Sequence, residues 1–323
     1  MGLEHNQMES LFKGKHRTYR LLSPNAMLFG PRLAQLVITR KCNLRCKYCN
    51  EFDHSSQPVP KEEVYRRVDK LASLGTLFME YTGGEPLLHP DLIDLVRYAS
   101  RCRFFERWII TNGYLLTPRN IEQLNDAGLT HLQLSIDGLH PNETSIKMFY
   151  PLKKKLQHLQ RHARFKVQIN AVLGATNPAE TIELVRHIQE MGFIPRVSVL
   201  HDGKGAFKLD PQGQAGLQKL YEVLGHRWSE SGDYRTRLIN TGIADFKCRA
   251  GARYLYIDER GIVHWCSQQR GVFSKPLDDY TWKDLRGQFR KRKTCSSTCT
   301  VSCVRTASRF DEWRRQSGPG QDR

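Results

Sequence analysis

Between about residues 35 and 200, short apolar runs alternate with longer stretches in which apolar residues recur every three or four positions. The short runs, at about 35–41, 76–82, 106–111, 130–136, 166–173 and 195–200, predict strands. The stretches between them predict amphipathic helices. Val64, Val68 and Leu71 share one face of a helix starting near Pro60. Thr117-Pro118 reads as an N-cap followed by a first-turn proline, and Gly128 lies beyond the helix end. Asn177-Pro178 and Gly192 repeat that punctuation around Ile182, Val185 and Ile188. Strand and helix in strict alternation predict parallel βα units.

The strands also alternate internally. Leu132, Leu134 and Ile136 face one way, and Gln133, Ser135 and Asp137 face the other. Val167, Ile169 and Ala171 likewise oppose Gln168 and Asn170. A parallel sheet covered on both faces reads as continuous apolar residues. One polar face therefore predicts a wet interior that holds a ligand.

After the first run comes Cys42-Asn43-Leu44-Arg45-Cys46-Lys47-Tyr48-Cys49, three thiols spaced Cys-x3-Cys-x2-Cys. Three thiolates on one loop can hold three corners of a [4Fe-4S] cube and leave the fourth iron open. Zinc would want four ligands. The spacing, with Tyr48 just before the third cysteine, resembles the signature of radical S-adenosylmethionine (SAM) enzymes. Six βα units with a polar inner face resemble their partial (β/α)6 barrel, a TIM-like α/β fold with its chemistry at the C-terminal strand ends. About one unit on, Gly83-Gly84-Glu85-Pro86 matches the family's GGEP turn, which implies that Gly83, Gly84 and Glu85 hold the methionine amino group of SAM. The resemblance also implies cofactor contacts from Tyr48, Ser135, Asp137 and Asn170. Asn112 is a further strand-end polar group, and Val197 and Val199 face adenine or the core. The implied activity is reductive cleavage of SAM to a 5′-deoxyadenosyl radical, which abstracts hydrogen from a substrate. Such an enzyme needs an electron donor such as a flavodoxin or ferredoxin.

The βα rhythm stops near residue 205, and a helix from Pro211 to Trp228 predicts a bridge to a smaller, Cys-rich α+β extension. Residues 254–258 and 262–265 read as a hairpin closed at Asp258-Glu259-Arg260-Gly261. Around it lie Cys248, Cys266, Cys295, Cys299 and Cys303. A cysteine, then Gly261-x4-Cys266, then a cysteine cluster resembles the SPASM and twitch extensions, which hold auxiliary iron–sulfur clusters. Five thiols can fill one cube with one to spare and cannot fill two. This predicts a second, auxiliary [4Fe-4S] cluster without identifying its four ligands, and four of the five around one zinc is the alternative. Cys102 stands alone and reads as packing.

The expected divisions are an arm at 1–34, a core barrel at 35–205, a helical bridge at 206–247, an auxiliary domain at 248–310 and a basic, flexible tail at 311–323. The arm is too short for a separate peptide-binding domain, so a leader peptide would be recognised in trans. No run of about eighteen apolar residues suggests a membrane span, and no apolar signal region opens the chain. Nine cysteines without a signal peptide point to metal and a reducing cytoplasm. The formal charge of +17 gathers at Lys153–Lys155, Arg290–Lys293 and Arg314-Arg315. It reads either as a solvated basic surface or as the mark of an anionic partner. A metal-stabilised protein that binds nucleic acid or anionic membranes is the alternative to the enzyme. A degenerate scaffold is disfavoured because the three loop cysteines and Glu85 are all present.

Overall fold

The computed structural model describes residues 28–311, apart from 203, 207–210, 225–233, 235–236, 239 and 245. Most of the N-terminal arm, part of the bridge and the tail with Arg314-Arg315 lie outside the described residues. Six strands run parallel in chain order: β1 (Leu33–Thr39), β2 (Phe78–Gly83), β3 (Glu106–Thr111), β4 (His131–Ser135), β5 (Lys166–Leu173) and β6 (Ile194–Val199). Helices α1 (Lys61–Ser73), α2 (Leu92–Arg101), α3 (Pro118–Asp126), α4 (Phe149–His162) and α5 (Pro178–Glu190) lie between them. This is the α/β partial barrel that the alternation predicts.

The helices end where local chemistry ends them. The Thr117 hydroxyl accepts from the Asn120 amide at 3.2 Å, and the Asn120 side chain answers at the Thr117 amide at 2.8 Å. Asn177 caps α5 through the Glu180 amide at 2.9 Å. Gly128 and Gly192 close α3 and α5 with φ of 83° and 75°.

The two faces of the sheet differ as the strand alternation predicts. Leu132, Leu134, Ile136, Val167, Ile169 and Ala171 are buried in one apolar core with Val64, Val68 and Leu71 of α1. The opposite face carries a polar network. Gln35 Nε2 donates to Glu80 Oε2 at 2.7 Å, Arg196 Nε to Gln168 Oε1 at 3.0 Å, and Ser198 Oγ to Asn170 Oδ1 at 2.9 Å. Burial inside the barrel pushes the Glu80 carboxyl up to about 7. Cys102 sits at the end of α2, packed against the apolar core.

The C-terminal extension continues the same sheet. Beyond α6 (Pro211–Leu224), strand β7 (Tyr254–Ile257) pairs in parallel with β1, from Leu33 opposite Tyr254 to Leu36 opposite Ile257. Strands β8 (Ile262–His264) and β9 (Lys275–Pro276) follow antiparallel, giving the order β6-β5-β4-β3-β2-β1-β7-β8-β9. The turn between β7 and β8 is the one expected, with Gly261 at φ 79°. After α7 (Trp282–Arg290), the chain crosses the open side of the barrel. Cys299 forms an antiparallel bridge with Ala206, and the Thr300 amide donates to Gly205 O at 3.0 Å. Helix α8 (Ser302–Arg309) then returns to β7, where Arg253 and Asp311 form a buried two-pronged pair at 2.9 and 3.0 Å. The extension is thus tied to both edges of the six-stranded barrel.

Candidate functional site

The three loop cysteines follow β1 on the C-terminal rim, with Cys46 buried and Cys42 and Cys49 half-buried. Local amides turn toward the sulfurs: Leu44 N–H donates to Cys42 Sγ at 3.4 Å and Glu51 N–H to Cys49 Sγ at 3.5 Å. Burial pushes the Cys42 thiol up to about 11 and raises Cys49. Neither ionises easily alone, and a bound iron would supply the charge that holds the thiolates.

The two glycines of the turn after β2 are there for space. A side chain on Gly84 would meet Arg40 O and Lys41 O at 2.4 Å, and one on Gly83 would meet Thr39 O at 1.9 Å. The turn therefore presses against the backbone that launches the cysteine loop. Glu85 is fully buried and accepts from Leu87 N at 2.9 Å, Thr111 Oγ1 at 2.6 Å and Asn112 N at 2.7 Å. Its carboxylate binds the ends of β2 and β3 together. Asn112 Nδ2 reaches Asn43 Oδ1 at 2.8 Å and lies 3.9 Å from Cys42 Sγ, which extends the tie to the loop.

Tyr48 and Asp137 meet directly. The Tyr48 hydroxyl donates to Asp137 Oδ2 at 2.7 Å, and Ser145 Oγ donates to the same oxygen at 2.6 Å. Lys147 pairs with Asp137 at 3.3 Å and bonds the Tyr48 hydroxyl. Burial opposes the Lys147 charge, but Asp137 and Tyr48 outweigh it and hold the ammonium well above the ordinary lysine value. Asp137 Oδ1 is buried with no hydrogen-bond partner among the described residues, a vacancy that a ligand donor could fill. Ser135 lies at the end of β4 in register with Asn170, whose side chain is taken by Ser198.

A cavity of about 540 Å³, open solvent included, lies beside this rim. Tyr48, Val199 and Ser198 line it from the barrel, and Thr300, Ser302 and Cys303 from the extension. Val197 instead packs in an apolar cluster with Leu217 and Leu220.

The five C-terminal thiols divide. Cys248, Cys266, Cys295 and Cys299 line a second cavity with Trp265, Lys204 and Lys293. Cys303 lines the first cavity, and it also packs against the apolar cluster that contains Cys248 and Cys266. Burial pushes Cys266 and Cys303 up to about 12 and raises the other three. The four border the same small cavity. Among the described residues, no three His, Cys, Asp or Glu side chains converge closely enough to hold a single ion. Lys293 of the basic run is buried here and lowered to about 8 by burial.

Motif reading did not find Ser145, Lys147 or Ser198. Lys147 belongs to no motif, and only the fold brings its ammonium to 4.8 Å from the centre of the Tyr48 ring.

Comparison with known proteins settles the family. The model of the Radical SAM superfamily matches residues 36–205, more than half the chain. The chain belongs to the radical SAM superfamily. This radical SAM protein is 32% identical over 176 residues to an AdoMet-dependent heme synthase of Methanosarcina barkeri, covering 52% of this chain and 50% of that one. It is 31% identical over 169 residues to a PqqA peptide cyclase of Bradyrhizobium diazoefficiens, covering 50% and 44%. It spans about half the length of these curated relatives. Among solved structures it resembles Streptococcus suis SuiB bound to the precursor peptide SuiA, with TM-score 0.64, 18% identity and coverage of 80% and 65%. It also resembles native anSMEcpe with bound AdoMet, with TM-score 0.57, 18% identity and coverage of 78% and 80%. Both structural likenesses cover more of this chain than the matched family region does. Among the described residues, no helix is long and apolar enough to cross a membrane.

Proposed function

We propose that this protein is a two-cluster radical SAM enzyme in which Cys42, Cys46 and Cys49 hold the SAM-binding [4Fe-4S] cluster. Cys248, Cys266, Cys295 and Cys299 hold a closed auxiliary [4Fe-4S] cluster. Cys303 is left outside both sets. The observation that carries this reading is the division of the thiols: three on the rim loop, four around one cavity and one on the wall of another. Four sulfurs that border one cavity suit a cube better than one zinc ion. The working units are a core barrel at 35–205, a bridge at 206–247 and an auxiliary unit at 248–310.

When loaded, the cluster held by Cys42, Cys46 and Cys49 would supply the one-electron chemistry for reductive cleavage of SAM and hydrogen abstraction from a substrate. The chain's own residues orient and enclose. Gly83 and Gly84 bring backbone close to the cysteine loop, which leaves their turn free to meet the methionine end of SAM. Glu85 fixes that turn through three donors. Tyr48, held by Asp137 and Lys147, presents an aromatic wall to the cavity, and Asp137 Oδ1 offers an acceptor to SAM. Ser135 and Asn170 complete the polar side of the barrel mouth. The segment at 300–303 walls the cavity from the extension and limits the entry of water.

The substrate class we favour is a peptide side chain, because the PqqA cyclase and SuiB are named for peptides. A lipid-linked molecule or other metabolite is the second reading. Lys41, Arg45 and Lys47 are exposed on the cysteine loop. They suit an acidic electron donor of the flavodoxin or ferredoxin class in a reducing cytoplasm.

The test is anaerobic reconstitution with iron and sulfide, then dithionite and SAM. About eight irons per chain with 5′-deoxyadenosine formation is the expected result. Zinc in the second site, or a filled first cluster that never cleaves SAM with any peptide offered, would overturn the reading.

A further inference from the structure

The basic run at Arg290–Lys293 exposes three of its side chains and turns the fourth inward. Lys293 is 2% exposed and lines the cavity bordered by Cys248, Cys266, Cys295 and Cys299. Its ammonium donates to Gln288 O and lies 5.8 Å from the centre of the Trp265 ring. No carboxylate pairs with it among the described residues. A second cation, Lys291, lies 5.5 Å from the centre of the same ring. A buried cation without an anion is costly. The anion that this arrangement calls for must come from the cavity.

A [4Fe-4S] cube with four thiolates carries net negative charge in both oxidation states, more when reduced. We propose that Lys293 is the buried counter-charge of the auxiliary cluster and raises its reduction potential relative to a cluster without it. The cation stabilises the reduced form more than the oxidised form, since the attraction grows with the cluster's charge in a site of low dielectric constant. Charge and burial carry the effect, so arginine should preserve it and methionine should not. This inference rests on the auxiliary-cluster reading above.

The experiment is an EPR-monitored redox titration of reconstituted wild type, Lys293→Met and Lys293→Arg, with the SAM-binding cluster as internal reference. In Lys293→Met the auxiliary couple should move negative by at least tenfold in the reduction equilibrium, 59 mV for one electron. The reference couple should stay, and Lys293→Arg should keep most of the wild-type value. Thermal melting of the iron-free proteins adds a readout that needs no cluster. Iron-free Lys293→Met should melt no lower than wild type, because it loses an uncompensated buried charge. An unchanged auxiliary midpoint in Lys293→Met, or an equal shift in Lys293→Arg, would overturn the counter-charge role while leaving the two-cluster reading intact. Wild type that holds only about four irons would overturn both.

Discussion

The two cysteine regions are built in opposite ways. The first compresses three thiols into eight residues of one loop, and local backbone geometry sets their spacing. The second draws four thiols from a stretch of just over fifty residues, and only the folded extension brings them to one cavity. A site made by one loop is open on the side away from that loop, where a ligand can reach it. A site assembled from several elements is enclosed by them. The comparison teaches that whether a set of thiols is open or enclosed follows from how far its members lie apart along the chain, as well as from how many there are.

The largest effect belongs to the local site. Cys46→Ala should reduce 5′-deoxyadenosine formation below detection and leave about four irons per chain. Continued SAM cleavage by that variant would remove the loop from the mechanism. Cys299→Ala should also lose about four irons while sparing SAM cleavage, so that product formation falls more than deoxyadenosine. Cys303→Ser should keep both clusters. If Cys303→Ser and Cys299→Ala lose iron alike, the division of thiols between the two cavities is wrong.

Smaller effects sharpen the contrast in surroundings. Lys147→Met leaves Asp137 buried with its charge uncompensated, and should destabilise the fold by about 3 kcal/mol. Adding Asp137→Asn should recover most of that loss in urea melts; no recovery would show that the pair acts by packing. The smallest concerns Glu80, raised to about 7 by burial. A carboxyl raised on folding is favourable when protonated, and its contribution is lost as pH climbs from its unfolded value, near 4.3, through 7. Glu80→Gln should therefore melt a few degrees above wild type at pH 8, with the gap closing toward pH 4. A gap that does not change with pH would mean that Glu80 ionises freely in the folded barrel.

The sequence was most informative where the determinants are local. The strand alternation placed Leu132 and Ile169 in the core and Gln168 and Asn170 inside the barrel. Caps at Thr117 and Asn177 were legible because each involves residues three apart. The glycine turn was legible as a motif, but its steric reason lies in a close approach between β2 and the end of β1. Lys147 escaped notice because its partners, Tyr48 and Asp137, lie ninety-nine and ten positions away. Lys293 was grouped with three solvated neighbours because charge runs carry no sign of which member turns inward. Which four of the five thiols line one cavity depended on where the chain crosses after Cys299, which no spacing rule encodes.

The pairing of β1 with β7 sets an order of events during synthesis. Leu33–Thr39 gains its neighbour β2 early, but its other edge finds no partner until Tyr254–Ile257 has left the ribosome, some two hundred residues later. Until then a mostly apolar strand, with the first cysteine loop at its end, presents unpaired backbone to any other strand in reach. Completion of the sheet is a late, long-range step. It follows that the nascent chain is most exposed to aggregation, and to misplaced metal, during the interval between making the first set of cysteines and making the strand that covers their supporting edge.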